Sequence, residues 1–427
     1  ACNLIWQMIS LYLLYFYTNV MHLNAGAVSV MFLVTKVIDG ISDLIVGFLI
    51  DKTNTRWGKS RPWILFGAVP FGVAAVVAFS VPNIGQTGML IYAYVSYILL
   101  STAYTVVNIP MASILPALSE DPHERTVLAS CRTFFSSVGS TVVSAFALTL
   151  VDKFGNGNEA LGFRIVMMIF GVIGCLVFFF CFFNTKERVV IKQEKVSLKA
   201  NISCLLHNKP WKLFALNIVW FFGGYVIQAS AVIYYFTYVV QNAMLVQIVA
   251  TITTLVPIIA NLCAPFLVKL TTKRNLMVGG SFVHMGGLLI IFFGGTNVPV
   301  LLAGAVIAAA GYGLKGSMHF AMQPDPVDYG EWKSGVNTAG TLSAVNGFVG
   351  KVGMAIASSI GAALLQFGGF DANQAIQTVT AQHYITAMYI WVPILTNIAT
   401  IVTMMFYDLD KIYPQIIKEL DERRANA

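Results

Sequence analysis

TKVIDGISDLIVGFLIDKTNTRWGKSRPW, Thr35–Trp63, runs from an apolar stretch through a short basic turn into the start of another apolar stretch. The apolar part carries Lys36, Asp39 and Asp43. Their spacing of three and four puts all three on one face of a helix. Charged groups inside an apolar run are tolerated in a soluble core only when paired, and in a membrane helix they cost enough to mark function. The polar turn then holds Lys52, Arg56, Lys59 and Arg61 against a single acid, Asp51. A run long enough to cross a bilayer, followed by a cationic turn, is the pattern of a membrane span leaving on the cytoplasmic side.

The pattern repeats along the chain. Of 427 residues 57% are hydrophobic and 11% charged, and the mean hydropathy is +0.75. These values lie outside the range of soluble domains. Apolar runs fall near Leu4–Tyr17, Ala27–Ile50, Trp63–Val81, Met89–Met111, Thr133–Leu150 and Phe163–Phe183, then near Leu213–Val239, Met244–Leu267, Leu276–Gly295, Val298–Phe320, Thr338–Leu365 and Ile385–Phe406. The expected fold is an all-α membrane protein of twelve transmembrane helices in two six-helix bundles. The bundles occupy residues 1–183 and 213–406, with a cytoplasmic linker at 184–212 and a cytoplasmic tail at 407–427.

Charge sets the orientation. Twenty of the 26 Lys and Arg residues lie in the linker, the tail and the loops on their side, and the opposite loops hold only Lys153. Both termini are therefore expected in the cytoplasm. The net charge of +7 needs no nucleic-acid partner, because the basic residues sit in short loops between apolar runs. Six cysteines show no CxxC pair and no metal-type spacing, and read as small hydrophobes. The chain opens at Ala1 without Met and already enters an apolar run, so a short preceding piece is expected. No cleavable signal peptide is visible. GFLIDKTNTRWGKSRP after the second span finds a faint echo in PFLVKLTTKRN after the eighth. A duplicated six-helix transporter predicts such an echo, with substrate held between the halves near the bilayer midplane.

The residues able to carry chemistry follow from this frame. Asp39 and Asp43 can together hold Na⁺ or share a proton, and the competing reading is a structural ion-pair cluster around Lys36. Thr105 and Asn108 lie on adjacent turns of the fourth span before Pro110. They offer a hydroxyl and an amide to a cation or a sugar, or bridge helices. Arg132 opens the fifth span, and Lys315 and His319 lie one turn apart in the tenth, either in the cavity or reaching interfacial water. Lys351 sits deep among small residues in the eleventh span, too far from either end for easy snorkelling, with Asp39 and Asp43 as natural partners. Asp325, Asp328 and Glu331, in a loop at Asp325–Gly335, lie on the same side as Asp51, Arg56, Lys59, Arg61 and Arg125. They read either as a cytoplasmic gate or as a solvated charged loop.

VIDGISDLIVGFLIDKTNTRWGKSRPW, YTVVNIP, DPHERTVLASCR and DPVDYGEWKSG, in this order, resemble the signature stretches of the glycoside-pentoside-hexuronide cation symporters. This is the family of melibiose permease and the glucuronide carriers in the major facilitator superfamily. The resemblance covers essentially the whole chain. It implies a major facilitator fold in a bacterial inner membrane, a sugar or glycoside substrate, and Na⁺ or H⁺ as coupling ion, with no further cofactor or metal.

Residue by residue, the resemblance makes Asp39, Asp43 and Thr105 cation ligands, with Ser42 where melibiose permease has Asn. It makes Arg132 a sugar-site base, and Lys351, with Lys36 beside the acids, the link between the cation and sugar sites. Asn3 and Asn108 stand where melibiose permease has aspartates and glucuronide carriers have Asn. Ala112 and Gly316 replace its tryptophans, and Asn346 a Gln. Two acids changed to amides beside Arg132, Lys351, Lys315 and His319 make the cavity more positive and lean the reading toward an anionic sugar such as a hexuronide. The alternatives are a lipid or lysolipid carrier, against which polar Asn3 and Asn108 argue, and a membrane sugar receptor. An enzyme is not expected, since no nucleophile or metal motif is present.

Overall fold

The structure, a computed structural model, describes residues 2–53, 55–114, 118, 122–186, 208–334 and 339–425. Among these the chain is helical throughout, apart from turns and one isolated bridge between Thr55 and Gly58. The helices are α1 (Cys2–Tyr15), α2 (Ala25–Lys52), α3 (Arg61–Ala78), α4 (Gln86–Ser113), α5 (Pro122–Gly155), α6 (Glu159–Asn184), α7 (Lys209–Tyr234) and α8 (Met244–Val268). Then follow α9 (Lys273–Gly294), α10 (Val298–Ala321), α11 (Asp325–Ser334), α12 (Ala339–Phe367), α13 (Val379–Thr386), α14 (Val392–Met405) and α15 (Leu409–Ala425). Each of the twelve expected spans finds its helix, and α13 with α14 forms the last. Among the described residues ten segments are long and apolar enough to cross a membrane. The other two are α1, only 14 residues long before its π turn, and α2, with its charged face.

Short polar signals start these helices. Asn24 accepts hydrogen bonds from the N–H groups of Gly26 and Ala27 at the head of α2. Asn158, Thr272 and Asn297 do the same for α6, α9 and α10. One sequence expectation is corrected. The acidic stretch after the tenth span is not a loop but the helix α11, with Asp325 and Asp328 in its first turn, where carboxylates suit the helix dipole. The tail, to which the sequence assigned no secondary structure, is helical: Ile416 and Leu420, one turn apart on α15, are buried in a cluster with Met404 and Tyr407. Residues 187–207 of the expected linker lie outside the described residues.

The chain forms two compact units. The first comprises Ala1–Gln193, Ala229–Thr251 and Ser358–Ile385, so it takes in the end of α7, the start of α8, the end of α12 and α13. A structural repeat lies inside it. Phe16–Val20 (FYTNV) and Tyr235–Val239 (YFTYV) are π turns ending the first helix of each sequence half, and His22 and Gln241 follow with φ of 52° and 57°. Their side chains meet. The hydroxyls of Thr18 and Tyr234 lie 2.6 Å apart, and Asn19 Nδ2 donates to the Tyr238 hydroxyl. Below them, Ser29 Oγ donates to the Ser359 carbonyl at 2.7 Å and Ser359 Oγ to that of Ser29 at 3.0 Å. The end of this unit opposite the basic α2–α3 turn is thus laced shut.

The second unit comprises Glu194–Gln228, Ile252–Ala357 and Thr386–Ala427. Its tightest seam joins α9 to α10. A Cβ at Gly311 would stand 2.3 Å from the backbone N of His284, and one at Gly287 2.3 Å from that of Ala308. Only glycine allows this approach, a small-residue interface of the membrane kind.

Candidate functional site

The face of α2 predicted to carry charge does so. Asp39 is buried, Asp43 half-buried, and α4 brings Ser101 and Thr105, one turn apart, against both. Ser101 Oγ donates to Asp39 Oδ1 at 2.5 Å, and Thr105 Oγ1 donates to Asp43 Oδ1 at 2.7 Å, with Asp39 Oδ1 3.4 Å away. Lys36 Nζ lies 3.7 Å from Asp39 Oδ2, over the rings of Trp6 at 5.3 Å and Tyr97 at 5.7 Å. Trp6 in turn stands 5.4 Å from Tyr104. Ser42, counted among the cation ligands, donates its hydroxyl proton to the Asp39 carbonyl at 2.8 Å, so only its lone pairs remain for an ion. The result is a compact oxygen-rich site of two carboxylates and two hydroxyls with one ammonium at its edge. Hard cations take oxygen ligands of this kind, and carboxylates a few ångströms apart bind a proton in common. Ser101 was not foreseen, although a hydroxyl four residues before Thr105 is the signal that finds it.

The other first-half candidates lie in the same unit. Asn3 and Asn108 are half-buried and Arg132 is exposed on α5. Arg125 falls in the first turn of α5 rather than in a loop; its side chain and that of Asp51 lie outside the described residues.

In the second unit the structure draws a different picture of the predicted bases. Lys315 and His319 do not reach interfacial water: they are 2% and 0% exposed. Lys315 Nζ donates to Asn397 Oδ1 at 2.8 Å, and Asn397 Nδ2 donates to His284 Nδ1 at 3.0 Å. The rings of Phe221 and Tyr312 lie 5.6 and 5.5 Å from the ammonium. His319 is stacked between Phe214 and Phe221, at 5.3 and 4.3 Å, and neither ring nitrogen has a hydrogen-bond partner among the described residues. His284 and Asn397 were missed by the sequence reading; each is an uncharged polar residue within an apolar run, His284 after Ser281 and Asn397 after Thr396. Asn346 is buried and accepts from Trp211 Nε1 at 3.1 Å, and Lys351 is half-buried in α12.

The acids of α11 are tied within their own unit. Lys273 Nζ donates to Asp325 Oδ1 at 2.7 Å, Tyr413 to Asp328 at 2.6 Å, and Trp332 Nε1 to Glu419 at 2.6 Å. These bonds clamp α11 against α9 and α15. Glu331 lies on the same helix.

A model of the family described as MFS/sugar transport protein matches residues 1–411. This chain belongs to that family. It is 37% identical over 432 residues to the isoprimeverose transporter of Lactiplantibacillus pentosus, covering 100% of this chain and 90% of the relative. It is 31% identical over 415 residues to the inner membrane symporter YicJ of Escherichia coli (strain K12), covering 96% and 89%. Among solved structures the nucleoside transporter NupG superposes with a TM-score of 0.64 at 12% identity, covering 95% of this chain and 98% of that one. The likeness to NupG concerns the fold. The chain is a multi-pass sugar transporter of the major facilitator superfamily, and not an enzyme.

Proposed function

We propose that this transporter is a secondary active symporter that imports a glycoside together with Na⁺ or H⁺ by alternating access, from a bacterial inner membrane with both termini in the cytoplasm. The observation that carries the reading is the Thr105 hydroxyl set between Asp39 and Asp43 inside a membrane span. Lys36 offsets one of the two carboxylates, and the second, at that depth, is costly unless an ion neutralises it during the cycle. Their occupancy would alter the charge next to Lys36, Trp6 and Tyr104, and thereby link the ion to this face of the protein.

For the substrate, Lys315 and His319, two of the four bases that would favour an anionic sugar, are enclosed in their own unit and do not face a ligand. Similarity to an isoprimeverose transporter along the whole chain favours isoprimeverose or a related glycoside. A hexuronide remains the second reading, supported by exposed Arg132. Binding titrations on the purified protein separate the two. Isoprimeverose should bind more tightly than a methyl glucuronide, and Arg132→Gln should weaken both by similar factors. A glucuronide that binds more tightly, and alone loses affinity in Arg132→Gln, would reverse the assignment, because a charge-assisted pair is lost only with the acid.

A further inference from the structure

A cavity of about 530 Å³ lies in the first unit between α3 and α4, lined by Phe66, Gly67 and Pro70 on one side and Leu99, Thr102 and Val106 on the other. Its walls are almost wholly apolar, and Phe66 and Leu99 are 66% and 50% exposed, so it is a groove on the outside of the bundle. Its length from Pro62 to Pro70 is about 12 Å at 1.5 Å per residue. This runs from the basic α2–α3 turn to the middle of α3.

At the turn end the groove changes character. Thr53 and Trp63 line it there, and Trp63 Nε1 donates to Thr53 Oγ1 at 2.9 Å, an aromatic and hydroxyl pair of the sort found at headgroup depth. Phe66 also faces Trp57 at 6.3 Å, and the Arg56 guanidinium stacks on Trp57 at 4.7 Å. Lys52, next to Thr53, is exposed over the Phe48 ring at 4.3 Å. Among the described residues neither Lys52 nor Arg56 meets a carboxylate. The groove is thus a slot of acyl-chain character whose mouth carries two cations.

We propose that this slot seats one anionic phospholipid of the cytoplasmic leaflet, an acyl chain lying between α3 and α4 and the phosphate held by Lys52 and Arg56. Charge complementarity selects the anionic headgroup, since basic pockets beside membrane helices recognise it and each cation at the surface adds to the attraction. The seat matters for transport because Thr53 is the C-cap of α2, the helix that carries Asp39 and Asp43. A lipid wedged there fixes the end of the ion-binding helix against α3. The leaflet assignment rests on the proposed orientation; the seat itself depends on neither the sugar nor the coupling ion.

Native mass spectrometry on protein released from nanodiscs of equimolar phosphatidylglycerol and phosphatidylethanolamine tests it. One phosphatidylglycerol should remain bound in preference to phosphatidylethanolamine, and added phosphatidylglycerol alone should raise the melting temperature. Lys52→Gln with Arg56→Gln should abolish the preference, and Thr102→Trp, which fills the slot, should release the lipid. Leu99→Trp serves as a second filler should Thr102→Trp fail to give a monodisperse protein. Equal retention of the two lipids, or undiminished phosphatidylglycerol binding in the filled variants, would overturn the proposal, the latter by showing surface attraction without a seat. Because the measurement is made without sugar or gradient, it stands apart from the symport reading.

Discussion

Thr105 has one hydroxyl proton and two carboxylate oxygens within reach, Asp43 Oδ1 at 2.7 Å and Asp39 Oδ1 at 3.4 Å. The shorter bond takes the proton, and the oxygen keeps its lone pairs for the proposed ion. Replacing Asp43 or Asp39 by Asn removes a charged ligand without changing size, so active accumulation should stop while exchange of internal for external sugar persists. Uptake and counterflow on the same vesicles check this, and accumulation at the wild-type level in both variants would remove the site from coupling. Thr105→Val should leave transport cation-coupled with the apparent ion affinity lowered about tenfold, the worth of one hydrogen bond to a charged group.

Lys315 presents the opposite case, a buried base whose acceptor is an amide. Asn397→Leu should destabilise the protein by about 2 kcal/mol or more, because the ammonium loses its acceptor in an apolar bundle. Adding Lys315→Met to Asn397→Leu should recover part of the loss. A thermal-melt cycle over the four proteins checks the sign, and strict additivity would mean that the two side chains act independently. The acids were legible because a charge in an apolar run has few innocent explanations. His284 and Asn397 were harder to read, because an uncharged polar residue in a membrane helix is ordinary, and its partner comes from a helix more than a hundred residues away.

On the scale of helices, the π turns at Phe16–Val20 and Tyr235–Val239 help bring pieces of both sequence halves together in the first unit. An extra residue in each turn widens the helix and sends the chain out through a left-handed residue, His22 or Gln241, which brings Thr18 and Asn19 against Tyr234 and Tyr238. Gly26 lies under this contact, and a Cβ there would approach Gln366 Cγ at 3.2 Å. Gly26→Trp should therefore prise the laced end apart and shift the population toward a state open at that end. Val28, fully buried one turn-fraction below, is the reporter: Val28→Cys should resist an impermeant maleimide in the parent and react in Gly26→Trp. Equal protection in both would show that these contacts do not hold the end closed. The spans were legible from hydropathy, whereas the π turns were not, since FYTNV and YFTYV contain nothing that forbids a regular helix. α11 was misread because its charge pattern suits solvent equally as a loop or as a helix, and its bonds to α9 and α15 decide between them.

For the whole molecule, the order of apolar runs, the placement of basic loops and the charged face of α2 all follow from the cost of exposing polar groups to lipid, and all can be read from a single sequence. The identity of the substrate depends on a few side chains whose surroundings are built by folding, and enclosure of Lys315 and His319 changed that part of the account. The central claim is that an ion bound at Asp39 and Asp43 drives sugar inward. It is tested most directly by uptake of labelled isoprimeverose into proteoliposomes under an imposed inward Na⁺ gradient, an imposed inward H⁺ gradient, or none. Accumulation above the external concentration under one of the two gradients, lost in Asp43→Asn, is the predicted result. Uptake that only equilibrates under every condition, or that accumulates equally well without Asp43, would contradict it.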